Sequence, residues 1–226
     1  MKISLSWVRE YTDVKSLTDE LVKKIGAQLG GIDEVIELGA RYDGIVVVRV
    51  VDCVKHLNAD KLHVFKVDDG KVTKSVARDG KGLIQVVCGA NNVKVGMLAA
   101  WIPPGVAVPS TIDKDVFTLE ARDIRGQMSN GMLASLHELG ISDDHEGILE
   151  LNEFEVVRNQ LSVISKKLTP GTPFKKLFGL DDIIIDIENK MFTHRPDCFG
   201  ILGVAREIAG IQGHKFQSPD WYKKPI

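Results

Sequence analysis

Val86-Val87-Cys88-Gly89-Ala90-Asn91-Asn92-Val93 is the stretch on which the fold of this chain turns. The β-branched and apolar run from Ile84 to Cys88 suits a buried strand. Gly89 permits a turn that most side chains resist, and Asn91 and Asn92 tolerate left-handed backbone and bond their own turn. A core strand therefore runs into a polar loop whose amides face solvent. Alone, the stretch reads most simply as a strand end. Its neighbours give it weight: His56-Leu57-Asn58-Ala59-Asp60-Lys61-Leu62 lies upstream, and Arg125-Gly126-Gln127-Met128-Ser129-Asn130-Gly131-Met132-Leu133 lies downstream.

The strands around it follow from alternation and from β-branched runs. Ile45 to Val51 is a long strand, interrupted at His56. Leu62 to Val67 alternates and ends in Asp68-Asp69-Gly70, a strong hairpin-turn signal. Lys71 to Leu83 is polar, which predicts a solvated loop or an extended hairpin. Met97 to Ile102 is closed by Pro103-Pro104-Gly105, and Phe117 to Ile124 and Met132 to Ser135 supply the last strands. Five or so short strands with Gly and Pro turns predict a small closed barrel.

Outside that region the periodicity changes. Lys2 to Leu5 is a short strand, after which Ser6 can cap a turn through Trp7 and Tyr11. Ser16-Leu17-Thr18-Asp19 reads as a helix start, and Leu17, Leu21, Ile25 and Leu29 give the apolar stripe of an amphipathic helix over 16–29. Ile32, Val35 and Ile36 make a strand, and Asn152 to Leu168 holds a short helix. Ile183, Ile185 and Ile187 alternate with Ile184, Asp186 and Glu188 in a half-buried strand, and Asp197 can cap a final helix. Chains below about 40 residues rarely fold alone, and a closed barrel packs its apolar face inward. The stripe on 16–29 should therefore meet the C-terminal flank, at Phe174, Leu177, Phe178, Ile183, Ile185 and Ile187. The expected fold is α+β: a five-stranded barrel inserted into a small discontinuous α/β domain.

Charged residues make up 27% and hydrophobic ones 44% of the 226 residues, ordinary values for a folded soluble protein. Lys and Arg total 29 against 31 Asp and Glu, so global charge gives nucleic-acid binding no support and any such role rests on a local patch. Residues 40–150 carry a slight acidic excess and only Tyr42, Phe65, Trp101 and Phe117 for stacking, which points to weak or auxiliary contact. Cys53, Cys88 and Cys198 are too far apart for a zinc site and fit a reducing cytosol. No apolar run approaches membrane-spanning length and no signal-peptide core follows Met1, so a cytoplasmic chain without a membrane partner is expected.

In their order, the stretches at 56–62, 86–93 and 125–133 resemble the oligonucleotide-binding (OB) barrel known as the tRNA-binding domain. With the start Met1-Lys2-Ile3-Ser4-Leu5-Ser6-Trp7 and the later Thr193-His194-Arg195-Pro196-Asp197-Cys198 and Gly203-Val204-Ala205-Arg206-Glu207, the chain resembles the N-terminal part of bacterial phenylalanine–tRNA ligase β subunits. Leu57 stands where that family usually has proline, Ala134 where cysteine is common, and His194 where asparagine is common. The resemblance implies these bounds: residues 1–39 and 151–192 as two halves of a discontinuous α/β domain, 40–150 as the tRNA-binding OB domain, and 193–226 as the start of an editing domain. It also implies phenylalanine tRNA and a separate α subunit as partners, in a heterotetramer of two α and two β subunits. ATP and Mg2+ would serve the complete enzyme, with no cofactor and no catalytic residue in this stretch. A free-standing tRNA-binding or chaperone-like barrel and a purely architectural module are the other two readings.

The expected nucleic-acid contacts are Asn58, Lys61, Asn91, Asn92, Lys94, Arg125, Ser129 and Asn130. Each has two readings. Asn58 either caps a single turn or hydrogen-bonds a sugar or base edge, and Lys61 either sits in solvent or meets a phosphate. Arg125 is a good phosphate donor, whereas Ser129-Asn130-Gly131 either joins barrel strands or lines the same rim. His56 and His63 read as surface or turn histidines, since no partner carboxylate or metal-ligand spacing accompanies them.

Overall fold

The structure, a computed structural model, describes residues 1–15, 17–152, 168–177 and 179–223. Ser16, Phe178 and most of the helix expected between Asn152 and Leu168 lie outside them. The elements begin with β1 (Lys2–Ser4), α1 (Leu5–Arg9), α2 (Asp19–Gln28) and β2 (Ile32–Glu37). There follow β3 (Val46–Lys55), β4 (His63–Asp68), β5 (Ile84–Cys88) and β6 (Leu98–Ile102). Then come β7 (Arg122–Ile124), β8 (Gln127–Ser129), β9 (Met132–Leu133), β10 (Ile183–Ile187), α3 (Ile201–Gln212) and α4 (Asp220–Lys223). The chain divides into two compact units, Met1–Ala40 with Gly179–Ile226, and Arg41–Phe178.

The first unit is a three-stranded antiparallel sheet in the order β1-β10-β2, covered by helices. Ile185 stands opposite Ile3 on one side and Val35 on the other. The alternation along β10 buries Ile185 and Ile187, and these meet Leu21 and Ile25 of α2 in one core. α2 starts at Asp19, capped by Thr18, whose hydroxyl accepts from the Leu21 N–H at 3.2 Å. Asp19 and Glu20 in its first turn suit the positive end of the helix dipole.

Three local expectations are corrected here. Ser4, not Ser6, caps α1, because its hydroxyl is placed to accept from Trp7 N and to donate to Asp182 at 2.5 Å. Asp197 does not cap α3: Gly200 holds that position, and Asp197 instead accepts from Arg195 and Arg206. Phe174 and Leu177 do not cover α2. They belong to the second unit, where the Phe174 ring lies 5.4 Å from Tyr42 and its N–H donates to Ile45 O. The cover over α2 comes from α3, whose Val204, Ala205 and Ile208 complete the core with Ile185 and Ile187. Of the apolar residues expected to meet that stripe, Ile183, Ile185 and Ile187 do so, and α3, further along the chain, supplies the rest of the cover.

The second unit is a five-stranded antiparallel sheet in the order β5-β4-β3-β6-β9. β3 is long enough to serve two neighbours: Val46 to Arg49 pair with β6, and Arg49 to Lys55 pair with β4 across a bulge near Val50. The bulge bends the strand, which curls the sheet around Val48, Val50, Phe65, Val86, Met97 and Trp101. One short segment nearly closes it. On β5, Asn130 N donates to Gln85 O at 2.9 Å and Val87 N donates to Ser129 Oγ at 3.0 Å. Two residues after Asn130, Met132 and Leu133 pair with Ile102 and Trp101 of β6.

Two expectations in this unit also change. Phe117 to Ile124 is not one strand: only Arg122–Ile124 pairs, with β8, while Thr118 makes a lone bridge to Ala107. The Lys71–Leu83 loop is tied down rather than merely solvated. Asp69, with no exposed surface, accepts from the N–H groups of Lys71 and Thr73 and from both terminal nitrogens of Arg78. Arg78 also donates to the carbonyls of Thr73 and Gly82, so one buried ion pair gathers the loop.

Candidate nucleic-acid interface

β7 and β8 form a hairpin whose two-residue loop is Arg125-Gly126, with φ of 54° and 88°. Two positive φ values in succession are the hallmark of the type I′ turn, whose twist matches the flanking strands. Gly126 takes that conformation freely, and its N–H donates to Asp123 Oδ1 at 2.8 Å. Arg125 does not: a side chain in the left-handed region costs about 1 kcal/mol or more. An arginine held there, exposed at the turn's tip, is a local outlier of the kind found at functional positions. The Arg-Gly pair between two short polar runs was the available signal for this turn.

The structure brings Asn58 to Arg125, as Asn58 Nδ2 donates to Arg125 O at 3.1 Å. Lys61 follows in the same exposed loop. Asp60 of that loop pairs with Lys55 at 3.6 Å. Among the described residues, Lys61 and Arg125 hold no carboxylate partner. His56 is not a surface histidine. It is 2% exposed, accepts from Asn58 N at Nδ1 (3.0 Å) and donates from Nε2 to Ile124 O (2.9 Å).

Asn91, Asn92 and Lys94 lie elsewhere on this unit, and Asn91 and Asn92 line a cavity of about 780 Å³ with Cys88, Ser135, Glu138, His145 and Glu146. Gly89 does not reach a positive φ, and neither asparagine is left-handed. Gly89 answers a close approach instead: a Cβ there would stand 3.2 Å from the Leu62 side chain. Asn92 is a clamp. Its amide donates to Ile148 O at 2.8 Å and accepts from Ile148 N at 2.9 Å, and Gly147 is required beside it both for its φ of 77° and because a Cβ would meet that amide at 2.7 Å. We expect Asn92→Ala to lower the unit's stability by about 1–2 kcal/mol, the scale for two lost hydrogen bonds, read as a shifted urea midpoint.

Lys94 is exposed but bound to Glu150 at 3.1 Å, so that carboxylate competes with a phosphate for it. Glu138 and Glu146 make the cavity acidic, and burial pushes the Cys88 thiol up, away from the reactive thiolate. A phosphate would be repelled there. Ser129 and Asn130 are 3% and 6% exposed, and their polar atoms are taken by Val87, Gly131, Gln85 and Trp101. They close the barrel, and their side chains are engaged mainly inside it. Of the eight expected residues, the turn and its neighbour loop gather Asn58, Lys61 and Arg125.

In the first unit, ligand atoms of Asp197, Cys198 and Glu207 lie within 4.8 Å of one another. Arg195 already bonds Asp197 and Glu207, at 3.0 and 2.6 Å, and holds the Asp197 carboxyl down at about 2. A metal ion would have to displace that guanidinium. Among the described residues, no helix is long and apolar enough to cross a membrane.

Residues 45–158 match the protein family described as "Putative tRNA binding domain". Over 219 residues the chain is 37% identical to the phenylalanine–tRNA ligase β subunit of Dickeya dadantii, which covers 97% of this chain and 24% of that one. The β subunit of Synechococcus sp. is 34% identical over 221 residues, with the same coverages. That of Vibrio parahaemolyticus is 36% identical over 208 residues, covering 92% of this chain and 22% of its own. The chain thus spans about a quarter of the length of these relatives. Among solved structures, a Naegleria gruberi RNA ligase aligns over 51% of this chain and 34% of its own at 13% identity, with a TM-score of 0.32. That likeness is too slight to bear on fold or function.

Proposed function

The chain belongs to the tRNA-binding domain family, and from that premise we propose that its second unit meets tRNA along the edge formed by Asn58, Lys61 and Arg125. The observation that carries this reading is Arg125 itself, an exposed cation in a left-handed turn, bonded through its backbone to the loop that also bears Lys61. Phosphates take both side chains without displacing a carboxylate. The contact is auxiliary: two cations without an aromatic platform give electrostatic, sequence-independent attachment. Asn91, in the acidic cavity, takes no part in this edge, and Lys94 is a weak contributor because Glu150 competes for it.

The relatives' names extend the proposal to phenylalanine tRNA and to a β subunit of phenylalanine–tRNA ligase. In that reading this stretch supplies tRNA contact and subunit architecture, while ATP and Mg2+ act in an α subunit of a cytoplasmic heterotetramer. The barrel would be an OB-type domain inserted into a discontinuous domain built from 1–40 and 179–226, with the editing domain elsewhere in the β subunit. The competing reading is a purely architectural module, favoured by the balanced charge of the whole chain.

Titration of the chain with phenylalanine tRNA over a salt series separates the two. Binding should be weak and fall with salt, and Lys61→Gln with Arg125→Gln should reduce the log–log salt slope by about 1.8, roughly 0.9 per phosphate contact. The circular dichroism of the barrel should not change. No binding at low salt leaves the architectural module, and binding that survives the double substitution places the contact away from this edge.

A further inference from the structure

We propose that His56 is the positioning residue that sets the direction of Arg125, an inference that rests on the tRNA-binding edge proposed above. The two peptide groups flanking Arg125 are each held from the same neighbouring loop. The carbonyl of Ile124, before it, accepts from His56 Nε2 at 2.9 Å. The carbonyl of Arg125, after it, accepts from Asn58 Nδ2 at 3.1 Å. Pinning both peptide planes fixes the φ and ψ between them, and the φ so fixed is 54°. Asn58 is in turn oriented by His56, because its backbone N–H donates to His56 Nδ1 at 3.0 Å.

One imidazole therefore serves both arms of the clamp. Its Nδ1 faces an N–H and carries no proton, while its Nε2 faces a carbonyl and carries one, which selects the Nε2–H tautomer. The ring is 2% exposed and touches no ligand itself. Without it, Arg125 loses the constraint that offsets its left-handed strain, and the turn relaxes towards conformers that aim the guanidinium elsewhere. The same bonds join the Lys61 loop to the hairpin, so one edge with two cations replaces two independent loops.

The test is a double-substitution cycle on phenylalanine tRNA binding at low salt, using the whole chain. Arg125→Ala should weaken binding about fivefold, the scale for a lost charge-assisted phosphate contact. His56→Phe, which keeps a ring but neither bond, should weaken it about as much, and the pair together should weaken it no further. His56→Asn, whose amide oxygen can stand in for Nδ1, should recover part of the loss. A long-range nitrogen–proton NMR spectrum should show His56 as the Nε2–H tautomer. If His56→Phe does not fold, His56→Leu replaces it, since its side chain carries neither a donor for Ile124 O nor an acceptor for Asn58 N. A folded His56 variant that binds as the parent does, while Arg125→Ala is impaired, overturns this inference alone. An Arg125→Ala variant that binds normally removes the proposed edge and the role of His56 with it.

Discussion

Gly131→Ala should unfold the barrel unit, with a loss of about 4 kcal/mol or more. Gly131 lies between the residues bonded to β5 and those paired with β6, at φ 84°. A Cβ at this position would stand 2.2 Å from Ile102 O and 2.8 Å from the Trp101 indole nitrogen. Neither neighbour can retreat. Ile102 O belongs to a fully buried strand, and the indole N–H is engaged with Asn130 O at 3.0 Å. The left-handed backbone adds its own cost to the overlap. Urea unfolding followed through the near-ultraviolet signal of the buried Trp101 should show the transition lost or moved to far lower urea. Gly26→Ala in α2, where no atom lies within 4 Å of the new methyl, is the matched control and should hold or slightly raise stability. A barrel that keeps its midpoint with alanine at 131 would mean that the closing segment is not needed.

The second large effect is expected at the buried pair of Asp69 and Arg78, 2.7 Å apart with the Asp69 side chain fully buried. Arg78→Met should cost about 3–5 kcal/mol, because it leaves a carboxylate buried without its partner. Adding Asp69→Asn should return part of that loss, since a neutral amide is far cheaper to bury than a charge. Burial pushes the Asp69 carboxyl up, but the Arg78 guanidinium and the N–H groups of Thr73 and Lys71 outweigh it and hold the group at about 2. The folded value is depressed below that of the unfolded chain. The pair's contribution is therefore complete above about pH 4 and disappears as pH falls towards 2. That drop in stability amounts to roughly 2 kcal/mol between pH 5 and pH 2. Urea midpoints across this range should show it in the parent and lack it in the doubly substituted chain. An equal pH dependence in both would assign the acid sensitivity to other groups, Asp182 among them, which bonds from Ser4 and Ser6 hold low despite its burial.

The strands were readable because their signal is local. β-branched runs and alternation placed β3, β4, β5, β6 and β10 within a residue or a few of where they lie. The stripe Leu21–Ile25 likewise announced a helix with one buried face. Phe117 to Ile124 misled because the run divides between two neighbours: Phe117 and Leu119 bond to Gly105, Val106 and Val108, whereas Arg122–Ile124 pairs with β8. The functional residues divide along the same line. Exposure and charge made Lys61 and Arg125 candidates in the sequence, and both remain exposed. Ser129, Asn130 and Asn92 carry the same chemistry in isolation. Burial and backbone partners turned them into structural clamps, and neither can be computed from composition.

The sequence by itself determined most of the strands, the α2 helix and a barrel of short strands, because propensity and period act over a few residues. Tertiary structure alone decided that α3 joins β10 in the core under α2, where the barrel closes, and which polar side chains are left over for a ligand. It also decided the role of His56, which looks like any loop histidine until Ile124, some seventy residues later, is brought against its ring. Each of these depends on contacts between residues distant in the chain. Their energy comes from desolvation and from satisfying buried hydrogen bonds, terms that exist only once the partners have met.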